Sequence, residues 1–410
     1  MNAMTSLSLT NCNLSGSLPP RIHPSLASLF LFNNKLSGTL PDEFFPMNSN
    51  LTTLRLEGNE FTGTLPNSLS RATKLVTLEI ACPWSKVPLN LDRFSLLTGL
   101  TRLNLNSVEF TPVTIGTSFV NALNDTLAVF FGANVNFNRA TLAPWANFTK
   151  LVTLQLVNAN LTGTVPLLAS SLTQLSLDRN DLVGDLQYAS MPNLVRLAVG
   201  NTKLNWMTTA IGRLSSLTSL TATFTNATGP LPTEIGQLTQ LNQLSIQNNA
   251  ITALRSTIGL LTQLTQLNVQ SNALTALPST IGQLTQLNQL NAQINAITAL
   301  PSTIGQLTQL VQLNVQSNAL TALPTTIFLL SRLERVDISN NFIVGPDLAP
   351  FADFLANLTL CRFSVANDKN CFASTCPMNC CGITGMLCPT SVGAATTTTT
   401  TTTTTLAVTA

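Results

Sequence analysis

LTQLNVQSNALTALPSTIGQLTQ, residues 264–286, is followed by nearly the same words from Leu287 and again from Leu310, each restart twenty-three residues after the last. Repetition at a fixed short period dictates an architecture before any other feature is weighed. Within the unit the apolar residues are Leu264, Leu267, Val269 and Leu274, with Asn272 among them and Leu277-Pro278 closing the group. Leu267 and Val269 alternate with polar neighbours, as a short strand with one buried face requires. Asn272 ends that strand. Its amide can bond the backbone of its own and the adjacent coil, so an Asn in each unit makes a ladder along the stack. A single unit cannot bury its apolar face; stacking on its neighbours does so.

The same frame extends in both directions. Upstream it reads Met4, Leu7, Leu9, Cys12, Leu14, Gly16, Leu18-Pro19, then Leu26, Leu29, Leu31, Asn34, Leu36, Gly38, Leu40-Pro41, then Leu51, Leu54, Leu56, Asn59, Phe61, Gly63, Leu65-Pro66. Between Leu75 and Phe137 it degrades. Pro83-Trp84 stands where Asn is expected, Val108 is off the pattern, and Leu127 with Phe130 is the least regular unit. Units resume at Leu151, Leu172, Leu194 and Leu217, and the last clear one is Leu333, Val336, Ile338, Asn341. About fifteen strands at ~4.8 Å predict a sheet ~65–70 Å long.

The block Ala273 to Leu287 resembles the Ras-suppressor type of leucine-rich repeat, and the L-x-G-x-L-P endings around Gly38 and Gly63 resemble repeats of plant and protist extracellular receptors. The resemblance implies an α/β fold: a right-handed leucine-rich repeat solenoid with a parallel concave sheet and short helical or irregular convex segments. It also implies partner binding, seldom catalysis. The expected organisation is a solenoid over 1–350, a cysteine-rich cap over 351–389 and a disordered Thr-rich tail over 390–410.

Composition narrows the partners. Apolar residues make up 44% and charged residues only 9%, with a net charge of +2. An average soluble chain carries roughly 25% charge, so solubility here rests on Asn, Gln, Ser and Thr or on attached sugars. There is no basic cluster, which argues against nucleic acid and anionic membrane, and no apolar run reaches the ~18 residues of a membrane span. Any membrane tether would lie outside this chain. Cys361, Cys371, Cys376, Cys380, Cys381 and Cys388 crowd the C-terminal end. Six suit three disulfides in an oxidising compartment, with about fifteen pairings open. Cys376-x₃-Cys380 supplies one of the two pairs that zinc wants, and no metal or cofactor is expected. Residues 1–10 are already repeat, without a basic end and apolar run of a secretory signal. The chain is therefore intracellular or lacks its true start, and the missing N-terminal cap favours the second. The Thr run 396–405 suits an O-glycosylated stalk. Sequons stand at Asn13, Asn50, Asn124, Asn147, Asn160, Asn226 and Asn357; Asn13 and Asn160 fall beside the ladder, where a glycan is expected to crowd the core.

Catalysis finds no footing. His23 is the single histidine and falls in a loop between units, and no phosphate-binding loop or H-E-x-x-H motif occurs. Binding is expected on the concave strand positions beside the core leucines. In the consensus block these are Gln266, Asn268 and Gln270 and their repeats, uniform neutral amides. Upstream they are Phe30, Phe32, Arg55, Glu57, Glu79, Arg102 and, if the register at Phe130 holds, Phe131. Aromatic residues and Arg dominate interface energies. The sequence therefore points to a protein or glycan partner on the N-terminal third, with the amide block as spacer. The competing reading has Phe30 and Phe32 packing under a cap. At the level of the whole chain, a secreted or cell-surface receptor-like protein competes with a cytoplasmic signalling scaffold, and with a structural binder of ice or cell-wall surfaces through the amide array.

Overall fold

A computed structural model describes residues 4–84 and 86–343, together with the backbone of 360–362. Among the described residues, sixteen parallel strands, each three residues long, follow one another in chain order in a single sheet from Ser6–Ser8 to Leu360–Arg362. The register is unbroken through the consensus block: Leu267 pairs with Leu290, Leu290 with Leu313, and Leu313 with Val336. All four are buried. The strand Leu360–Arg362 continues the sheet beyond the boundary expected at residue 350, with Cys361 in register with Val336. Cys371, Cys376, Cys380, Cys381 and Cys388, and the Thr-rich tail, lie outside the described residues.

The Asn ladder is present and reaches backward. Asn295 Nδ2 donates to Val269 O of the preceding coil (3.1 Å) and to Ala292 O of its own (3.1 Å), while its Oδ1 accepts from Leu274 N (3.0 Å). Asn272, Asn318 and Asn341 repeat the pattern. Each bond contributes a net ~1 kcal/mol, and an orphaned buried partner costs more.

On the convex side each consensus coil makes one short 3₁₀ turn, such as Ser279–Gln283, whose Pro278 sits extended at φ −67° ahead of it. A Cβ on Gly282 would lie 2.5 Å from Thr303 O of the next coil, so only glycine lets the turns stack this closely. The L-x-G-x-L-P glycines Gly38, Gly63 and Gly163 all adopt positive φ, +79° to +84°. There the chain turns off the ladder into short flanking parallel strands such as Lys35–Gly38 and Thr162–Gly163.

The degraded stretch is still solenoid, held by aromatic packing. Trp84 is fully buried between Phe61 and Phe110, both at 6.1 Å between centroids, and its Nε1 donates to Ile80 O. Cys82 Sγ donates to Leu56 O of the preceding coil (3.0 Å), the bond a ladder Asn would make. An α-helix, Thr117–Leu123, replaces the 3₁₀ turn in the following coil, and Asp92 Oδ1 accepts from Phe119 N in its first turn (2.7 Å). The irregular unit at Phe130 is in register: Phe131 pairs with Asn104 on one side and Gln155 on the other. Asn13 and Asn160 are exposed. Asn160 follows the buried Ala159 and turns outward, and Asn13 holds the same place in its coil, so a glycan there does not crowd the core.

Candidate functional site: a charged and aromatic row on the concave sheet

Five strands carry the site: Ser28–Phe30, Thr53–Arg55, Thr77–Glu79, Arg102–Asn104 and Val129–Phe131. Their middle residues, Leu29, Leu54, Leu78, Leu103 and Phe130, are buried, which by strand alternation turns the flanking side chains to the concave face. Register then aligns Phe30, Arg55, Glu79, Asn104 and Phe131 in one row across the sheet. Phe32 and Glu57 stand just past the ends of their strands, along one side of that row.

Six of the seven side chains expected from the sequence are joined by contacts. The Arg55 guanidinium lies 4.3 Å above the Phe32 ring, and its Nε donates to Glu57 Oε1 (2.9 Å). Its Nη2 also reaches Glu79 Oε2 at 3.6 Å. Arg102 Nε donates to Glu79 Oε1 (2.7 Å), and its guanidinium lies 4.7 Å over the Phe131 ring. The sequence Phe32–Arg55–Glu79–Arg102–Phe131 is thus one continuous chain with a carboxylate at its centre. Phe30 is half-buried in the same row. Phe32 is half-buried, with the Arg55 guanidinium against its ring.

Burial is graded across the row. The Glu79 side chain is only 5% exposed, whereas Arg55 and Arg102 keep 34% and 38%. Glu79 is therefore a buried anchor that fixes two guanidiniums whose outer faces remain open. Asn104 Nδ2 completes the anchor by donating to Glu79 Oε2 (3.3 Å). Asn104 was not singled out from the sequence, although its place two residues after Arg102 already assigns it to the concave face. Burial raises the Glu57 carboxyl above its ordinary value, and Glu79 nearby adds to this against the bond from Arg55. Glu57 Oε2 is buried without a hydrogen-bond partner among the described residues. Burial, with the Glu57 charge in support, pushes the Cys82 thiol beneath the row up to about 11.

The consensus block presents a different surface. Gln266, Gln289 and Gln312 stack in register, and amides bond diagonally between coils: Asn291 Nδ2 to Gln270 Oε1 (3.2 Å) and Asn314 Nδ2 to Gln293 Oε1 (2.7 Å). His23 is exposed, with Nδ1 2.6 Å from Ser25 Oγ. Among the described residues no three His, Cys, Asp or Glu side chains gather as metal ligands, and no helix is long and apolar enough to cross a membrane.

A parallel solenoid with differentiated side chains on its concave strands defines a class of recognition scaffold. The chain is a leucine-rich repeat protein. A sequence pattern described as "Leucine-rich repeat region" matches residues 197–296, and one described as "Leucine Rich Repeat" matches 3–24, 25–47 and 50–72. It is 26% identical over 219 residues to the receptor-like kinase TMK2 of Arabidopsis thaliana, half of this chain and 24% of that protein. Among solved structures, it is similar to the leucine-rich repeat ectodomain of the Arabidopsis thaliana membrane receptor kinase GASSHO1/SCHENGEN3, bound there to CASPARIAN STRIP INTEGRITY FACTOR 2. That likeness has a TM-score of 0.70 at 29% identity and covers 81% of this chain and 41% of that one. A TDR receptor gives 0.77 at 25% identity, covering 87% and 63%. The chain thus spans about a quarter of the length of the receptor kinase it matches.

Proposed function

We propose that the chain is a receptor-like recognition module, acting outside the cell, that binds an extended peptide or protein segment across the N-terminal third of its concave sheet and performs no chemistry on it. One observation carries this reading: Glu79 is buried while the two guanidiniums it fixes remain open beside Phe32 and Phe131. Arg and aromatic side chains held in place before binding lose little freedom on contact, and such groups supply most interface energy. The receptor ectodomain bound to CASPARIAN STRIP INTEGRITY FACTOR 2 among the similar structures supports a peptide or protein factor as partner. The cysteine-rich and Thr-rich segments, and the receptor-type L-x-G-x-L-P endings, support the extracellular location over a cytoplasmic scaffold.

A second reading rests on the amide block. Stacked neutral donors and acceptors at a single repeat suit a hydroxyl-rich polymer or another periodic surface, the cell-wall binder of the sequence alternatives. The two are separated by panning the purified chain against a random peptide library and an immobilised polysaccharide set. Binders are then measured on the Arg55→Ala/Arg102→Ala and Gln266→Ala/Gln289→Ala variants. Peptides that lose affinity on the first variant alone support the proposal; polysaccharide binding lost on the second alone replaces it.

A further inference from the structure

Three of the sequons occupy one position of the coil. Asn13, Asn160 and Asn226 each stand six residues after the middle residue of their concave strand, Leu7, Leu154 and Leu220. All three are exposed and adopt left-handed backbone, φ 54°, 52° and 57°. In each case the hydroxyl residue two places on, Ser15, Thr162 or Thr228, opens a short flanking strand. The three side chains therefore project from the same rim of the solenoid, off the concave floor. Asn160 Nδ2 uses one hydrogen to reach Asn136 Oδ1 (2.8 Å) and keeps the other, and Asn226 makes no side-chain hydrogen bond among the described residues. The sequons at Asn50 and Asn124 differ: Asn50 Oδ1 accepts from Lys74 Nζ (2.7 Å) on the opposite rim, and Asn124 is half-buried.

We propose that Asn13, Asn160 and Asn226 are N-glycan acceptors that line this rim with sugar and leave the Arg55–Arg102 row open. In the transfer, Nδ2 attacks the anomeric carbon of a polyprenyl-pyrophosphate-linked oligosaccharide. The new N–C bond forms as the C–O bond to the lipid pyrophosphate breaks; polyprenyl pyrophosphate leaves with the electron pair, and one Nδ2 proton passes to a base of the transferring enzyme. A second, independent feature fits the assignment. With 9% charged residues the surface has little ionic hydration, and a row of glycans supplies hydration without adding charge that competes with the Arg–Glu row.

The proposal rests on the extracellular reading, and the experiment separates the two. The full chain is secreted from a eukaryotic host behind a supplied leader, deglycosylated enzymatically in ¹⁸O water and mapped by mass. Heavy-oxygen aspartate at positions 13, 160 and 226 is the expected result, with one glycan lost in each of Ser15→Ala, Thr162→Ala and Thr228→Ala. These variants leave the left-handed Asn in place; Thr162→Ala loses the bond from Thr162 Oγ1 to Arg139 O, and a urea transition checks that each variant is folded. Secreted, folded chain with the three sites unmodified overturns the assignment. Chain isolated from its own cells unmodified, while the secreted form is modified, overturns the extracellular reading and leaves the acceptor assignment standing.

Discussion

The N-terminal third and the consensus block share one register and one buried core, yet they use their concave faces in opposite ways. In the block, successive coils carry the same residues inside and out: Leu290 under Leu313 in the core, Gln289 beside Gln312 on the surface. A surface that repeats gives a partner no preferred position along it. Between Ser28 and Phe131 the concave positions change with every coil, from Phe to Arg to Glu to Asn to Phe. The inner template loosens in the same stretch, where Trp84 and Cys82 stand in for the ladder and an α-helix replaces a 3₁₀ turn. On the proposed reading, departure from the repeat, inside and out, marks where recognition is encoded.

The largest effect expected is on the shared element. Leu267→Asp buries an unpaired charge between Leu244 and Leu290 and should destabilise the stack by at least ~3–5 kcal/mol. A urea transition unchanged from wild type would show that the two regions are not built on one continuous core.

Next comes the contrast in binding. Arg55→Ala with Arg102→Ala removes both ring-stacked guanidiniums and strands Glu79, and should weaken a selected peptide about 100-fold. Gln266→Ala with Gln289→Ala should change it less than ~2-fold, since exposed neutral amides exchange water for ligand at little net gain. Equal losses in titration calorimetry would erase the distinction between the regions.

A smaller effect tests the block's own regularity. Ile294 is β-branched, 51% exposed and left-handed at φ 54°, where the coils on either side place Ser271 and Ser317. Left-handed backbone costs a β-branched residue ~1–2 kcal/mol, so Ile294→Asn should raise stability by about 1 kcal/mol in urea denaturation. Loss of stability would mean that Ile294 makes a contact the geometry does not show.

The smallest effect is a pH dependence confined to the N-terminal third. The folded chain holds the Glu57 proton to higher pH than the unfolded chain, because burial raises this carboxyl above 4.5. Its contribution to stability is therefore fully present below the unfolded value and is lost as pH rises through the folded one. Glu57→Gln stays neutral throughout. The urea midpoint of wild type should fall relative to this variant as pH rises above 4.5, and a constant difference would contradict the raised carboxyl.

Much of this was legible in the sequence because the repeat is a local code. Leu267 and Asn272 each declare an inward position, and the two residues flanking Leu54 or Leu103 are then outward whatever their identity. That arithmetic placed Arg55, Glu79, Arg102 and Phe131 on one face. It could not show that Arg55 lies over Phe32, or that Glu79 is buried and shared between two arginines, because those facts depend on side-chain reach between coils some twenty-five residues apart. Asn104 was overlooked for the same reason: its importance comes from Glu79, not from its own neighbours. The outward projection of Asn13 and Asn160 follows from the alternation that also turns Leu14 and Leu161 toward the core, where Leu161 is buried and Leu14 partly so, and nearness in sequence to the ladder obscured it.

Hydrogen–deuterium exchange of the chain with and without a saturating selected peptide tests the central claim most directly. Protection confined to segments 28–32, 53–57, 77–79, 102–106 and 129–133, with segments 266–270, 289–293 and 312–316 unchanged, is the result expected. Protection over the amide segments with the first group unaltered would contradict the account.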